Sequence, residues 1–468
     1  MSEYKKVDQS DVAFFISTLD IERVLTHEPD KKPYGKDYTE DFLFVPEVVL
    51  KPENPFEISG ILKYCNQNRI PVTARGAGTG LSGGALPTHG GVVLSTEKLN
   101  KIIDVDTNNY MATVEPGVIN EVFSNAVEEK GLFYPPDPAS KGSCFMGGNL
   151  AENSGGPKAV KYGTTKDYVL NLEVVLPNGE IIWTGANVLK NSTGYNLTQL
   201  VCGSEGTLGI ITKIVVRLLA KPTENLLMLA SFNDIKSPCV AVSAILNSGI
   251  MPSGLEFMER NAVDWSMKYA DINLDLNSET AAILIIEVDG NNLESLYSDC
   301  EKINEILEQN GCSNVLFADS SLEKDRLWKV RRICGEAVHA HSVYKEEDTV
   351  VPRFHLPELL TSIKEIGSKY GFESVCYGHA GDGNLHVNIL KGELSDDEWN
   401  KTVKDGIREI FTICHNLGGT ISGEHGIGLV QREYLDIVFD QTQIGLMKGI
   451  KQVFDPNGIL NPGKIFPK

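Results

Sequence analysis

The sequence contains no cysteine pair with the CxxC spacing, and its nine cysteines are an odd number. This pattern argues against a disulfide framework, a zinc ribbon or an iron–sulfur cluster within the chain. We therefore expect reduced and mostly buried thiols. Electron transfer by such a chain would need an organic cofactor, and any iron–sulfur cluster would have to lie on a partner protein.

Long apolar runs and positive charge are also scarce. The longest apolar segments, such as AAILII at 281–286, are too short to cross a bilayer, and the amino terminus MSEYKKVDQSD lacks the apolar segment of a secretory signal. The formal net charge of −20 repels nucleic-acid phosphates and anionic membrane surfaces. We expect a cytoplasmic chain with no transmembrane anchor and no nucleic-acid partner. A small anionic substrate remains compatible, because a pocket can be locally positive.

The 468 residues are enough for two or three domains. Short β-rich runs alternate with glycine-rich turns from Val45 to Lys221, where Asn178-Gly179 predicts a hairpin. Charged helical patterns alternate with strands from about Glu224 to Lys391, and a long amphipathic helical stretch follows from about Glu393. The expected fold class is α+β, with domains at 1–222, 223–410 and 411–468.

A glycine-rich loop, RGAGTGLSGGA at 75–85, follows the strand-like segment IPVTA. Glycines let backbone N–H groups converge on a phosphate without Cβ clashes, so the loop is a candidate pyrophosphate cradle. It is neither a Walker A motif nor a Rossmann fingerprint, and a plain surface turn is the alternative. Two further clusters, at 142–163 and 202–212, lie in the same region. Three such loops could together wrap an extended dinucleotide.

These loops resemble those of the PP-loop flavoproteins related to vanillyl-alcohol oxidase. The matching motifs are PVTARGAG at Pro71–Gly78, GGN at Gly147–Asn149 and GSEGTLGI at Gly203–Ile210, and the resemblance extends to NPGK at Asn461–Lys464. It implies an FAD-binding domain of two α+β lobes over 1–222, an α+β substrate or cap domain over 223–410, and a helical segment over 411–468 that returns to the FAD domain. Thr79 stands where members with covalent FAD carry histidine, so non-covalent FAD is implied.

The resemblance also implies which residues contact FAD. Arg75 to Gly83 would hold the pyrophosphate, the second cluster would line the flavin, and the third would face the adenosine. The implied contacts are Pro71, Arg75, Gly76, Ala77, Gly78, Thr79, Gly80, Leu81, Ser82, Gly83, Pro135, Gly142, Ser143, Gly147, Gly148, Asn149, Asn153, Gly155, Tyr162, Gly163, Glu205, Gly206, Ile210 and Asn461.

Histidines are few, nine in all, yet GHAGDGNLH at 378–386 contains two. The segment Gly381-Asp382-Gly383-Asn384 is a tight-turn signature that can bring His379 and His386 to one centre, and LHVNI then alternates like a strand. SGEHGIG at 422–428 offers Glu424 beside His425. Two histidines and a carboxylate are a ligand set for zinc, iron or manganese. The alternative is that these are hydrogen-bonded turn residues.

The same motifs resemble those of FAD-dependent D-2-hydroxyacid dehydrogenases. The resemblance rests on GH at 378–379, GDGNLH at 381–386 and GEHG at 423–426. It implies a divalent metal on His379, His386 and Glu424 that acts as a Lewis acid on the substrate hydroxyl. His425 would be the base, while C2 delivers hydride to flavin N5. The alternative for His425 is a structural role.

Substrate contacts are implied as well. Arg331 matches the substrate arginine in the pattern LWxxR at Leu327–Arg331, and Asn388 and the loosely aligned Lys345 are further candidates. Arginine suits the role because its planar fork binds a carboxylate at two points. The alternative for Arg331 is a solvated helix charge, since other basic residues surround it.

The resemblance favours a small substrate. Relatives acting on 2-hydroxyglutarate carry threonine four residues after the arginine, where this chain has Gly335. D-lactate is therefore expected first; glycolate, as in the flavin subunit of glycolate oxidase, and D-2-hydroxyglutarate are alternatives. A non-catalytic flavin-binding relay subunit is an alternative from another class. The expected electron acceptor is an electron-transferring flavoprotein or an iron–sulfur partner subunit.

Overall fold

A computed structural model of the chain describes residues 4–39 and 42–467. The α-helices are α1 Gln9–Leu19, α2 Glu28–Lys31, α3 Pro55–Asn68, α4 Asn120–Glu128, α5 Met146–Glu152, α6 Ala159–Tyr162, α7 Leu197–Val201, α8 Ser237–Asn247, α9 Arg260–Ala270, α10 Leu293–Gln309, α11 Ser321–Arg332, α12 Cys334–His341, α13 Leu356–Tyr370, α14 Val403–Asn416, α15 Leu435–Val438 and α16 Gln441–Phe454. Shorter helical turns cover Ile21–Arg23, Lys32–Gly35, Thr165–Asp167, Arg353–His355, Glu398–Thr402 and Arg432–Tyr434.

Within the described residues the strands form four sheets. They are β1 Val24–Leu25, β2 Val48–Leu50, β3 Val72–Arg75, β4 Val92–Ser95, β5 Ile102–Asp106, β6 Met111–Val114, β7 Leu132–Phe133, β8 Val169–Val175, β9 Ile181–Trp183, β10 Ile210–Arg217, β11 Leu219–Ala220, β12 Glu224–Phe232, β13 Gly254–Glu259, β14 Ala282–Gly290, β15 Cys312–Ala318, β16 Tyr344–Val350, β17 Glu373–Gly378 and β18 Asn384–Leu390. This mixture of helices and sheets confirms the predicted α+β class.

The chain divides into two compact units. Unit 1 comprises Met1–Ser154, Thr164–Lys221 and Glu424–Lys468, and unit 2 comprises Gly155–Gly163 and Pro222–Gly423. No helix in the described ranges 4–39 and 42–467 is both long enough and apolar enough to cross a membrane. All nine cysteines lie within the described ranges and are free thiols; seven are buried, whereas Cys202 and Cys312 are partly exposed.

Unit 1 contains a four-stranded sheet in the order β1-β2-β4-β3, in which β2 and β3 run parallel to β4. Strands that are covered on both faces read as continuous apolar runs, and Val48, Leu50, Val72, Val92 and Leu94 are all fully buried. Strand β3 ends at Arg75, directly before the first glycine-rich loop. Ligands commonly bind beyond the carboxyl ends of parallel strands, so this loop starts at a favoured place.

A second sheet of unit 1 has the order β5-β6-β10-β8-β9. Strands β8 and β9 pair antiparallel with Val175 opposite Ile181, and Gly179 between them has φ +87°. This confirms the hairpin that Asn178-Gly179 predicts. The third sheet of the unit is a pair, β11 and β7.

Unit 2 is built on a seven-stranded antiparallel sheet in the order β15-β12-β14-β13-β17-β18-β16. Its helix α11 begins with a capping box, in which Ser320 and Glu323 satisfy each other's backbone N–H groups. The register pairs His386 with Tyr377 on one side and with Asp348 on the other. Directly opposed residues share a face, so these three side chains lie on one face of the sheet.

Candidate active site

In unit 1 the three glycine-rich loops line one cleft with an empty volume of about 1390 Å³, including the part open to solvent. Residues of each loop contribute to the wall, as do Glu424 and His425. The predicted FAD contacts in the wall are Arg75, Gly76, Ala77, Gly78, Thr79, Gly80, Leu81, Gly147, Gly148, Asn149, Glu205, Gly206 and Ile210. The remaining predicted contacts lie outside it: Pro71, Ser82, Gly83, Pro135, Gly142, Ser143, Asn153, Gly155, Tyr162, Gly163 and Asn461.

The shape of the cleft depends on specific glycines. Gly78 has φ +76°, and a Cβ there would collide with the guanidinium group of Arg75. A Cβ added at Gly80 or Gly148 would meet no atom within 4 Å, so both positions leave open room in the wall. Backbone that is bare in this way suits the close approach of a phosphate chain.

Two glutamates, Glu152 and Glu205, lie against the loop that follows His425. Glu205 accepts hydrogen bonds from the backbone N–H groups of Ile427 at 2.8 Å and Gly428 at 2.7 Å. Burial raises the pKa of Glu205 to about 7, although these hydrogen bonds and Lys464 oppose the rise. Burial and the nearby Glu205 raise the pKa of Glu152 well above its usual range. Gly426 has φ +79°, where side chains are disfavoured, and a Cβ there would also meet the carboxylate of Glu152.

In unit 2 the segment GHAGDGNLH forms the predicted tight turn. The N–H groups of Asp382 and Asn384 both donate to the carbonyl of His379, and Gly383 has φ +84°. Strand β18 then begins at Asn384, which confirms the predicted strand. The turn brings the two imidazole rings to a centroid distance of 5.4 Å, nearly perpendicular, and both histidines are buried.

A glutamate from β13 joins this pair to Arg331. The Nδ1 atom of His379 lies 2.8 Å from Oε2 of Glu256, and Nη2 of Arg331 lies 2.7 Å from the same oxygen. The guanidinium group also lies over the ring of Tyr377, 5.2 Å from its centroid. Arg331 is only 3% exposed, so the alternative of a solvated helix charge is wrong.

Burial by itself would raise the pKa of Glu256, which is 1% exposed. Its interactions with His379 and Arg331 outweigh that effect, and the pKa of Glu256 lies below its ordinary value. Glu256 is therefore an ionised carboxylate inside the unit, held by two neighbours that can carry positive charge.

Two acids of β16 stand beside His386. Its Nδ1 atom lies 3.5 Å from Glu346 and 3.8 Å from Asp348. Asp348 also accepts hydrogen bonds from the side chain of Asn384 at 2.6 Å and from the backbone N–H of Gly423 at 2.7 Å. Asp348 thus fixes the backbone immediately before Glu424, the predicted carboxylate ligand.

Asn388 and Lys345 have different surroundings. Asn388 is fully buried, and within residues 4–39 and 42–467 neither its side-chain oxygen nor its nitrogen has a hydrogen-bond partner. A buried amide without partners is costly, so this group is suited to a ligand. Lys345 pairs with Ile389 and therefore faces away from Asn388, with its Nζ atom 4.9 Å from the Trp399 ring centroid. The structure does not bring the two together.

Tyr162 makes contacts that the sequence does not suggest. Its hydroxyl lies 3.0 Å from each carboxylate oxygen of Asp289. The Nζ atom of Lys161 donates a hydrogen bond to Oδ1 of the same carboxylate at 2.5 Å. Lys158 lies 2.7 Å from Glu287. These contacts attach the segment Gly155–Gly163 to the sheet of unit 2.

Sequence reasoning missed several residues of the two sites. They are Glu256, Glu346 and Asp348 in unit 2, and Cys144 and Glu152 in the wall of the cleft. The one available signal was the alternation in YKEEDTV, which places Glu346 and Asp348 on the same face of a strand. Nothing near Glu256 in the sequence points to His379.

Two family comparisons cover most of the chain. Residues 46–185 match the FAD binding domain, and residues 221–465 match the family described as FAD linked oxidases, C-terminal domain. The second match alone spans more than half of the chain. The chain belongs to the FAD-linked oxidases. FAD is therefore its cofactor, and the predicted relationship to flavoproteins is confirmed.

This FAD-linked oxidase is similar to several named enzymes over nearly its full length. It is 42% identical to the glycolate oxidase subunit GlcD of Bacillus subtilis, covering 93% of this chain and 92% of that protein. It is 39% identical to the D-lactate dehydrogenase of Anaerostipes hadrus, covering 92% and 93%. It is 32% identical to the D-2-hydroxyglutarate dehydrogenase of Stutzerimonas stutzeri, covering 95% and 96%. It is thus an FAD-linked oxidoreductase of the group to which these relatives belong.

The fold agrees with that of known flavoproteins. The structure of p-cresol methylhydroxylase covers 99% of this chain and 98% of its own with a TM-score of 0.80, at 19% identity. The 4-ethylphenol oxidase of Gulosibacter chungangensis gives a TM-score of 0.78 at 19% identity, covering 100% and 99%. These likenesses confirm the predicted fold of the vanillyl-alcohol oxidase family.

Proposed function

We propose that this FAD-linked oxidase oxidises a small D-2-hydroxy acid to the corresponding 2-oxo acid, with D-lactate as the preferred substrate. The observation that carries the proposal is the buried turn that sets His379 and His386 side by side among acidic partners. Two converged imidazoles near carboxylates form a donor set suited to zinc, iron or manganese. The names of the relatives from Anaerostipes hadrus and Bacillus subtilis support the substrate class.

The cofactor fits the residues that are present. The cleft of unit 1 offers bare backbone at Gly80 and Gly148, which suits the phosphates of FAD held without a covalent link. When bound, FAD supplies the hydride acceptor at N5, and a divalent metal supplies a Lewis acid to the substrate hydroxyl. We propose His379 and His386 as nitrogen ligands and Glu424 as the carboxylate ligand. Glu424 follows Gly423, whose N–H is fixed by Asp348.

The chain's own residues would do the remaining work. Arg331, buried and already oriented by Glu256, would receive the substrate carboxylate through its two-pronged guanidinium group. The amide of Asn388 would hydrogen-bond the substrate. His425, which lies in the wall of the cleft, would accept the hydroxyl proton at a ring nitrogen as the C2–H bond breaks and the carbonyl forms. Lys345 is left out because it lies on the other face of the sheet.

Substrate size is proposed from position 335. A Cβ at Gly335 would lie 3.4 Å from the hydroxyl of Tyr377, an ordinary contact distance. The glycine offers no side chain to hold a distal carboxylate, so a monocarboxylate is preferred to D-2-hydroxyglutarate. Glycolate is the second candidate, because the GlcD relative shares 42% identity with this chain.

The electrons must leave the reduced flavin. We propose a partner protein as acceptor, either an electron-transferring flavoprotein or an iron–sulfur subunit. The word "subunit" in the name of the Bacillus subtilis relative supports a complex. Within the chain itself, the nine free thiols offer no CxxC pair for a cluster.

The test is an anaerobic absorbance spectrum of the purified protein with a panel of D-2-hydroxy acids. We expect D-lactate to bleach the flavin faster than glycolate, and both faster than D-2-hydroxyglutarate. Faster bleaching by glycolate would favour the second candidate. If no 2-hydroxy acid bleaches the flavin, the protein is not this dehydrogenase, and a relay subunit becomes the better description.

A further inference from the structure

A single carboxylate in unit 2 touches two residues to which the proposed function gives different tasks. Glu256 projects from β13 and is 1% exposed. Its carboxylate lies 2.8 Å from Nδ1 of His379, a proposed metal ligand, and 2.7 Å from Nη2 of Arg331, the proposed substrate arginine. No motif in the sequence marks this residue.

The contact with His379 determines which ring nitrogen carries the proton. A neutral imidazole has one N–H and one lone pair, and an ionised carboxylate can only accept hydrogen bonds. Nδ1 of His379 lies 2.8 Å from Glu256 but 3.5 Å from Nη2 of Arg331, so the shorter contact, to the carboxylate, assigns the hydrogen to Nδ1. The lone pair then lies on Nε2, the nitrogen that would bind a metal. A carboxylate placed in this way also raises the basicity of the ligand nitrogen.

The contact between Glu256 and Arg331 determines the position of the guanidinium group. The guanidinium group is held on one side by Glu256 and on another by the ring of Tyr377, 5.2 Å from its centroid. An arginine carries five N–H donors in a planar fork, so one guanidinium group can bind Glu256 and a second carboxylate. The same glutamate thus sets the direction of the substrate cation and the tautomer of the metal ligand.

We propose that Glu256 is a positioning residue that assigns Nε2 of His379 to the metal and aims Arg331 at the substrate carboxylate. The proposal rests on the proposed function. It differs from a purely structural ion pair, in which Glu256 only neutralises Arg331 and would have no effect on metal affinity once the protein is folded.

The same strand supplies a matched control. Glu259 is three residues further along β13 and is also buried, at 7% exposure. It is paired with Lys364 at 2.8 Å and accepts from the backbone N–H of Cys376 at 3.0 Å, so its contacts differ from those of Glu256. Glu259→Gln removes a buried charge of the same type from the same strand.

The experiment measures the affinity of the FAD-loaded protein for zinc, manganese and, under anaerobic conditions, ferrous iron by equilibrium dialysis. It compares wild type, Glu256→Gln, Glu256→Asp and Glu259→Gln. Removing a hydrogen-bond partner of a ligand histidine typically costs about 10–100-fold in metal affinity. We expect a loss of this size for Glu256→Gln, a smaller loss for Glu256→Asp and none for Glu259→Gln. In steady-state kinetics Glu256→Gln should also raise the KM for D-lactate, because Arg331 loses its support.

The outcomes separate the two proposals. If wild type binds none of these three metals, the proposed function fails and this inference fails with it. If wild type binds metal and Glu256→Gln binds it equally well, only the role of Glu256 is overturned. The role of Glu256 is also overturned if Glu259→Gln loses as much metal affinity as Glu256→Gln does. FAD content and circular dichroism report folding, and if Glu256→Gln fails to fold, unchanged metal affinity in Glu256→Asp overturns the inference.

Discussion

The two units build their sites in different ways. In unit 1 the wall of the cleft contains many glycines, among them Gly76, Gly78, Gly80, Gly147, Gly148 and Gly206. In unit 2 the site is made of side chains from separate strands and a helix, including Glu256, Arg331 and His386. A site built from backbone can be recognised in the local sequence, because its geometry favours glycine. A site built from side chains on several strands depends on strand register, which the local sequence does not show.

The largest expected effect concerns proton transfer. His425→Ala should retain FAD but slow anaerobic flavin reduction by D-lactate by about 10²–10⁴-fold, because a general base typically contributes that much. Stopped-flow absorbance measures the rate. The exposed His415 provides the control, and His415→Ala should behave as wild type. Reduction at the wild-type rate by His425→Ala would remove the base assignment.

A substitution in the cleft should affect the cofactor instead. Gly78 and Gly131 both have positive φ, but a Cβ at Gly78 meets Arg75 whereas one at Gly131 meets nothing within 4 Å. Gly78→Ala should therefore weaken FAD binding by about tenfold or more. Gly131→Ala introduces backbone strain alone and should bind FAD as wild type does. FAD content after gel filtration and the dissociation constant by fluorescence quenching measure this. Equal losses in the two variants would show that strain alone matters.

A third change tests the cation of unit 2. Arg331→Lys keeps the charge but loses the planar fork that reaches both Glu256 and a carboxylate. We expect kcat/KM for D-lactate to fall by about tenfold or more, mainly through KM. The adjacent Arg332, which lies over Trp328 at 5.4 Å from the ring centroid, gives the matched control Arg332→Lys with little change. An equal effect at both positions would contradict the substrate role.

The smallest effect concerns stability and pH. Burial raises the pKa of Glu205 to about 7 and that of Glu152 well above its usual range. A carboxyl group with a raised folded-state pKa contributes stability below its unfolded pKa and loses it as pH rises through the folded value. Stability should therefore decline between about pH 4.5 and 7 on account of this pair. Glu152→Gln should flatten the decline and raise the Tm at pH 8 by about 2–4 °C; an unchanged pH profile of Tm would contradict it.

The sequence was sufficient for the parts of the molecule that are encoded locally. The three glycine-rich loops, the Asn178-Gly179 hairpin and the turn at GHAGDGNLH could all be predicted, because each depends on a few adjacent residues. The placement of His379 beside His386 also followed from the turn signature, and the structure brings their rings to 5.4 Å.

Other features could not be predicted, because they depend on pairing over long distances in the chain. Glu256 lies 123 residues from His379, and only the neighbouring positions of β13 and β17 bring them together. Asp348 reaches Gly423 across 75 residues. Lys345 was proposed from a loose resemblance, although strand alternation places it opposite Ile389 and away from Asn388. The attachment of Tyr162 to Asp289 likewise needs the folded sheet.

The central claim is that a divalent metal at the two-histidine turn is required for oxidation of a 2-hydroxy acid. Its most direct test is stopped-flow flavin reduction by D-lactate under anaerobic conditions, on protein as purified, after chelator treatment and after reloading with zinc, iron or manganese. We predict rapid flavin reduction by the protein as purified. Chelator treatment should abolish reduction while FAD stays bound, and reloading with one of the three metals should restore it. Undiminished reduction by the metal-free protein would contradict the claim.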